Sequence, residues 1–142
     1  MAITHFTPST SYSTLRSPVN ATGFSTATVT TATTPVTLTT ANVLAGLLNV
    51  DCQDAGTAKW PTAADLAAAI QGVNVGTMVE LTIRNVGDTT LTVAINTGGT
   101  LGTGSTATQA TVTGKPWCAV FTNVTPGSEA YTLYSLGAAS AY

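Results

Sequence analysis

The spacing of apolar and polar positions changes along the chain, and each change predicts a different element. Over residues 1–33 large side chains are scattered at Ile3, Phe6, Tyr12, Leu15 and Phe24 among Ser, Thr, Ala and Pro, with neither a helical nor a strand period. From Pro35 the texture alters: Val36 and Leu38 alternate with Thr37 and Thr39, as in a half-buried strand. A boundary near residue 34 follows, giving an extended N-terminal arm (1–34) and a β domain (35–142). Val43, Leu44, Leu47 and Leu48 form an apolar cluster interrupted by Gly46, too short to assign by period. Residues 51–56 read as a turn.

Thr62 followed by Asp65 and an Ala/Leu-rich run predicts one short helix ending at Gly72, with Thr62 capping it and Asp65 returning a bond in the manner of a capping box. Beyond it the period becomes two. Val79, Leu81 and Ile83 face one way, and Met78, Glu80, Thr82 and Arg84 the other. Gly87-Asp88 then predicts a hairpin into Leu91, Val93 and Ile95. Residues 96–105 read as a Gly-rich loop and 108–113 as a short strand. Two strong strands at 115–123 and 130–136 are joined by a turn at Pro126-Gly127, and 137–142 form a tail. The pattern predicts an all-β fold, a small sandwich or barrel-like domain with one short helix.

Composition sharpens this picture. Charged residues make up 7% of the chain, far below the roughly 25% of ordinary soluble proteins, and about one residue in five is Thr, which suits a pleated surface. The bases Arg16, Lys59, Arg84 and Lys115 are too few for a phosphate-binding patch, so a nucleic-acid partner is not expected. Weak charge also means weak repulsion between copies, which favours assembly. No run approaches the ~18 apolar residues of a membrane helix, and the first twenty residues hold no signal-like stretch, so synthesis and retention in the cytoplasm are expected. Cys52 and Cys118 are then expected as buried thiols, since a reducing compartment disfavours a bridge.

Candidate chemistry is sparse. His5, the single histidine, lies in the arm, where no scaffold orients it for Ser-His-Asp catalysis. Asp51 and Asp54 fit turn formation better than calcium, which takes six to eight oxygens. Gly98, Gly99, Gly102 and Gly104 lack phosphate-loop spacing. The glycosylation-like triplets at Asn20 and Asn123 are what a Thr-rich chain yields by chance. Trp60 and Trp117 could stack on sugars, but large aromatics are commoner in cores and interfaces. Glu80 and Arg84 are expected to pair across strands or subunits. No catalytic residue, metal site or cofactor is expected. The arm reads either as a disordered tail or as a segment that laces subunits together or grips a shell, with Phe6, Tyr12, Leu15 and Phe24 as its apolar anchors and candidate contacts and Arg16 as its single charge.

The segments Trp60-Pro61-Thr62-Ala63-Ala64, Ala68-Ala69-Ile70, Val75-Gly76-Thr77, Glu80-Leu81-Thr82-Ile83-Arg84-Asn85, residues 121–130 and Leu133-Tyr134-Ser135-Leu136-Gly137 together resemble the capsid decoration, or cement, proteins of tailed bacteriophages. The resemblance covers residues 36–137 and departs from the family pattern at Cys52, Lys59 and Trp60. It implies a homotrimer on the capsid exterior, bridging neighbouring major capsid proteins of the HK97-type fold, with terminal extensions reaching adjacent subunits and no enzymatic activity. The nearest rival is a receptor-binding module of a head fibre or tail fibre, also Thr- and Gly-rich and trimeric. An enzyme is a distant third.

Overall fold

A computed structural model describes residues 25–31, 35–54 and 56–141. Among the described residues the fold is mainly β, in two mixed sheets, with two short helices. The strands are β1 (Ser25–Thr31), β2 (Val36–Thr37), β3 (Gly46–Cys52), β4 (Thr57–Lys59), β5 (Met78–Asn85), β6 (Leu91–Ala94), β7 (Gly99–Leu101), β8 (Thr108–Gln109), β9 (Thr113–Asn123), β10 (Ala130–Ser135) and β11 (Ser140–Ala141). The helices are α1 (Thr40–Leu44) and α2 (Ala63–Ala69).

The larger sheet runs β1-β3-β5-β9-β10-β7, with β11 added to β9, and the smaller runs β2-β4-β6-β8. From β1 to β6 the chain therefore alternates between sheets. Each strand lies parallel to the one two before it: β1, β3 and β5 in the larger sheet, β2, β4 and β6 in the smaller. Antiparallel β8 and β9 then join β6 and β5, and the predicted turn at Pro126-Gly127 connects β9 to antiparallel β10. Both sheets send their inward residues into a single core that includes Leu48, Val93, Leu81, Trp117 and Leu133. Tyr131 lies in that core with its ring 6.2 Å from Trp60 and 6.3 Å from Phe121, and its hydroxyl donates to the Pro61 carbonyl at 3.0 Å. The polar tip of a buried ring is thereby satisfied.

Several expectations are corrected. The strands at 78–85 and 91–94 do not form a hairpin; they belong to different sheets. Gly87 is demanded by a close approach rather than a tight turn, because the connector leaving β5 passes directly over the backbone of Cys52 at the end of β3. Asn85, fully buried, holds this crossing: its Nδ2 donates to the carbonyls of Thr89 (2.8 Å) and Ala110 (3.1 Å), and its Oδ1 accepts from Gly87 N–H at 3.2 Å.

The single predicted helix is joined by a second. In α1 the Thr39 hydroxyl accepts from Asn42 N–H (3.1 Å) while Asn42 Oδ1 accepts from Thr39 N–H (2.9 Å), a reciprocal cap with Asn in the usual Glu position. Gly46, at φ +82°, then converts helix to strand, which divides the apolar cluster between α1 and β3. In α2, Asp65 N–H donates to the Thr62 hydroxyl as expected, but the Asp65 carboxylate accepts from that hydroxyl at 2.7 Å rather than from the Thr62 backbone. The Gly-rich stretch contains β7 and the C-terminal tail contains β11. Within the segment that showed no period, Ser25–Thr31 forms β1; a run of Ser, Thr, Ala and Val offers little polar contrast to reveal a strand.

Candidate functional site

The outward face of the larger sheet carries several of the exposed large apolar side chains. Alternation along β5 buries Val79, Leu81 and Ile83 and leaves Met78 and Glu80 exposed. In β9 the inward set is Lys115, Trp117, Ala119 and Phe121, and Pro116, Cys118, Val120 and Thr122 point outward. Cross-strand register assembles these into rows: Met78 beside Val120 beside Thr132, then Glu80 beside Cys118 beside Tyr134. Leu136 extends the face, its N–H donating to the Pro116 carbonyl at 2.9 Å. Met78 is 62% exposed, Leu136 51% and Tyr134 39%, so this face leaves large apolar side chains in water. Exposed apolar residues mark an interaction surface where they form a contiguous patch, and of these Tyr134 and Leu136 follow one another on the same side of the chain.

Two packing features belong to the face. The Tyr134 ring lies against Gly102, where an added β-carbon would meet it at 2.3 Å. Cys118 is 4% exposed, although it points outward, because its neighbours cover it. Burial, and secondarily the charge of Glu80, pushes its thiol pKa up, so it stays protonated and weakly nucleophilic. Cys52 is a second buried free thiol, accepting from Gly56 N–H at 3.1 Å.

Lys115 is the polar residue that the sequence reading missed. It occupies an inward position of β9 and is 1% exposed, with Nζ donating to the Thr106 carbonyl (2.6 Å) and the Thr106 hydroxyl and lying 4.8 Å from the Trp117 ring centroid. Burial pushes its pKa down. Its bonds pin the segment before β8 to β9. The signal was available: a Lys in phase with Trp117, Ala119 and Phe121 points into the core.

The remaining candidates separate. Trp60 and Trp117 are wholly buried, so neither offers a ring face for stacking on a sugar. Asp51 accepts from Gln53 Nε2 at 2.7 Å, and Asp54 sits at φ +48° in the turn after β3. Among the described residues no group of three or more His, Cys, Asp or Glu converges as metal ligands would. A shallow groove of about 460 Å³ lies between the start of α1 and α2, lined by Thr37, Thr39, Thr40 and Asp65 among others. Phe6, Tyr12, Leu15, Arg16 and Phe24, the contacts expected from the sequence, and His5 lie outside the described residues. Comparisons of the chain with protein-family models, curated proteins and solved structures return no match.

Proposed function

We propose that this protein is a structural component of a tailed-phage virion, a cement protein that decorates the capsid exterior as a homotrimer and bridges neighbouring major capsid proteins of the HK97-type fold. The observation that carries the reading is the outward face with exposed Met78, Tyr134 and Leu136 and half-buried Val120, on a chain with 7% charged residues. A surface of this kind is suited to permanent burial against other subunits. In this reading the two mixed sheets pack as a sandwich, no catalytic step occurs, and no cofactor is needed.

Attachment through several weak contacts per trimer gives a tight total grip by avidity. Hydroxyl-rich and apolar contacts also depend less on salt than ion pairs do. The anchors Phe6, Tyr12, Leu15, Arg16 and Phe24 grip the shell, and the apolar face meets a neighbouring subunit.

Quantifying the protein in purified particles tests the proposal, with hundreds of copies per capsid as the expected result. A handful of copies with binding to cell-surface glycans would make it a fibre module instead, and its absence from particles would overturn the virion reading. Removing residues 1–24, which spares β1, is expected to leave a folded oligomer that no longer sediments with capsids. Undiminished capsid binding by that variant would overturn the role given to the arm.

A further inference from the structure

We propose that residues 103–112, the segment that carries β8, form a strap that swings away from the smaller sheet as one unit while the rest of the fold stays closed, leaving β6 as the open edge. This concerns the folded domain by itself and does not rest on the virion reading.

The way the strap is held supports it. None of residues 103–112 belongs to the hydrophobic core: Gln109 is buried, Ser105 and Ala107 are half-buried, and the rest are exposed. Polar bonds hold the segment instead. Lys115 Nζ donates to the carbonyls of Thr106 (2.6 Å) and Thr108 (3.4 Å). Gln109 Nε2 donates to the carbonyls of Ile83 (2.9 Å) and Thr113 (2.6 Å), and Asn85 Nδ2 to those of Gln109 (3.3 Å) and Ala110 (3.1 Å). When the strap lifts, these bonds are exchanged for bonds to water, so their net hold is modest. Parting β5 from β9 would instead expose Leu81, Ile83 and Trp117 to water. Segments with few buried apolar contacts open at lower free energy than the core.

Both ends of the strap are suited to pivot. Gly104 sits at φ +82° with open space where a β-carbon would stand. Val112 is held at φ +52°, a left-handed conformation that a β-branched residue adopts only under strain, and it is 53% exposed, so little packing offsets the cost. Lifting the strap frees Val112 to return to an extended backbone.

Closing satisfies the edge of β6. Gln109 pairs with Leu91 and Thr108 with Thr92, and the Ala107 carbonyl accepts from Val93 N–H at 2.8 Å. Among the described residues β8 is the outermost strand on this side, so the strap keeps β6 from pairing with another extended chain. Thr92 N–H, by contrast, donates to the Gly56 carbonyl at 3.0 Å, on the β4 side. Two neighbouring amides of one strand therefore report on different partners.

Residue-resolved hydrogen exchange on the unaltered protein separates them. The amides of Val93 and Thr106, whose acceptors are Ala107 and the Ser135 hydroxyl, should share one protection factor, about a hundredfold below that of Thr92. Val93 protected as strongly as Thr92, or Val93 and Thr106 exchanging through openings of different free energy, would overturn the proposal. Val112→Asn places a residue that tolerates the left-handed conformation at the strained pivot, and should raise the protection of Val93 and Thr106 about threefold while leaving Thr92 unchanged. Unchanged or lowered protection at those two amides would remove Val112 from its role and overturn the strap as described.

Discussion

A β-carbon on Gly87 would stand 2.2 Å from the backbone nitrogen and oxygen of Cys52, so the connector leaving β5 runs against the end of β3 with no room for any other residue. Gly87→Ala must displace one backbone from the other and weaken the bond from Val86 N–H to the Val50 carbonyl. A loss of about 3 kcal/mol or more is expected, at the upper end for point substitutions. Urea unfolding of the variant measures it, and a midpoint within error of the parent protein would refute the contact.

Asn85 anchors the same crossing from inside. Replacing it with Leu keeps the volume but leaves the carbonyls of Thr89 and Ala110 and the N–H of Gly87 without this partner. About 2–4 kcal/mol of destabilisation is expected, the consequence of several buried backbone groups losing hydrogen bonds. Thermal unfolding should show it as a large drop in Tm with the secondary structure retained at low temperature.

Lys115→Met removes the bonds to Thr106 while keeping an unbranched apolar stem in the core. Relief of the buried charge partly offsets those lost bonds, so a net cost of about 1–2 kcal/mol is expected. The loss should be concentrated at residues 105–109. Amide hydrogen exchange there should accelerate more than in β5 or β9, and a uniform change across the sheet would contradict this.

Alkaline pH isolates Tyr131. Burial pushes its pKa from 10.0 up to about 12, partly countered by a hydrogen bond involving the Asn96 backbone. Its stabilising contribution is therefore complete below pH 10 and is lost as pH rises through 12, because the unfolded phenol ionises first. Two units correspond to about 2–3 kcal/mol. Tyr131→Phe, lacking the bond to Pro61, should be about 1 kcal/mol less stable at neutral pH yet lose less between pH 10 and 12. Denaturant curves across that range should converge or cross, and parallel curves would exclude the linkage.

The elements legible in the sequence were those where local chemistry and burial agree. Thr62 and Asp65 announce α2, and the alternation of Val79, Leu81 and Ile83 announces β5. Apart from β9 and β10, joined at the predicted turn Pro126-Gly127, the strand partners were not legible, because period two states which residues face inward but not which strand lies alongside. Gly87-Asp88 illustrates the difficulty, since a glycine demanded by Cys52 has the same letters as one demanded by a hairpin. The candidate face was partly legible: residues 116–121 are apolar on both phases, with Pro116, Cys118 and Val120 alternating with Trp117, Ala119 and Phe121. Such a strand is either covered on both sides or awaiting cover.

The alternation of early strands between two sheets also dictates when the molecule can become whole. β5 lies between β3 and β9 in the finished sheet, but β9 ends at Asn123, 38 residues after β5 ends at Asn85. A nascent chain emerging in sequence order must hold the paired early strands with one flank open until that late strand arrives, and pairings so distant in sequence close slowly. Synthesis, rather than local propensity, then sets the earliest moment at which the hydrophobic interior can be sealed.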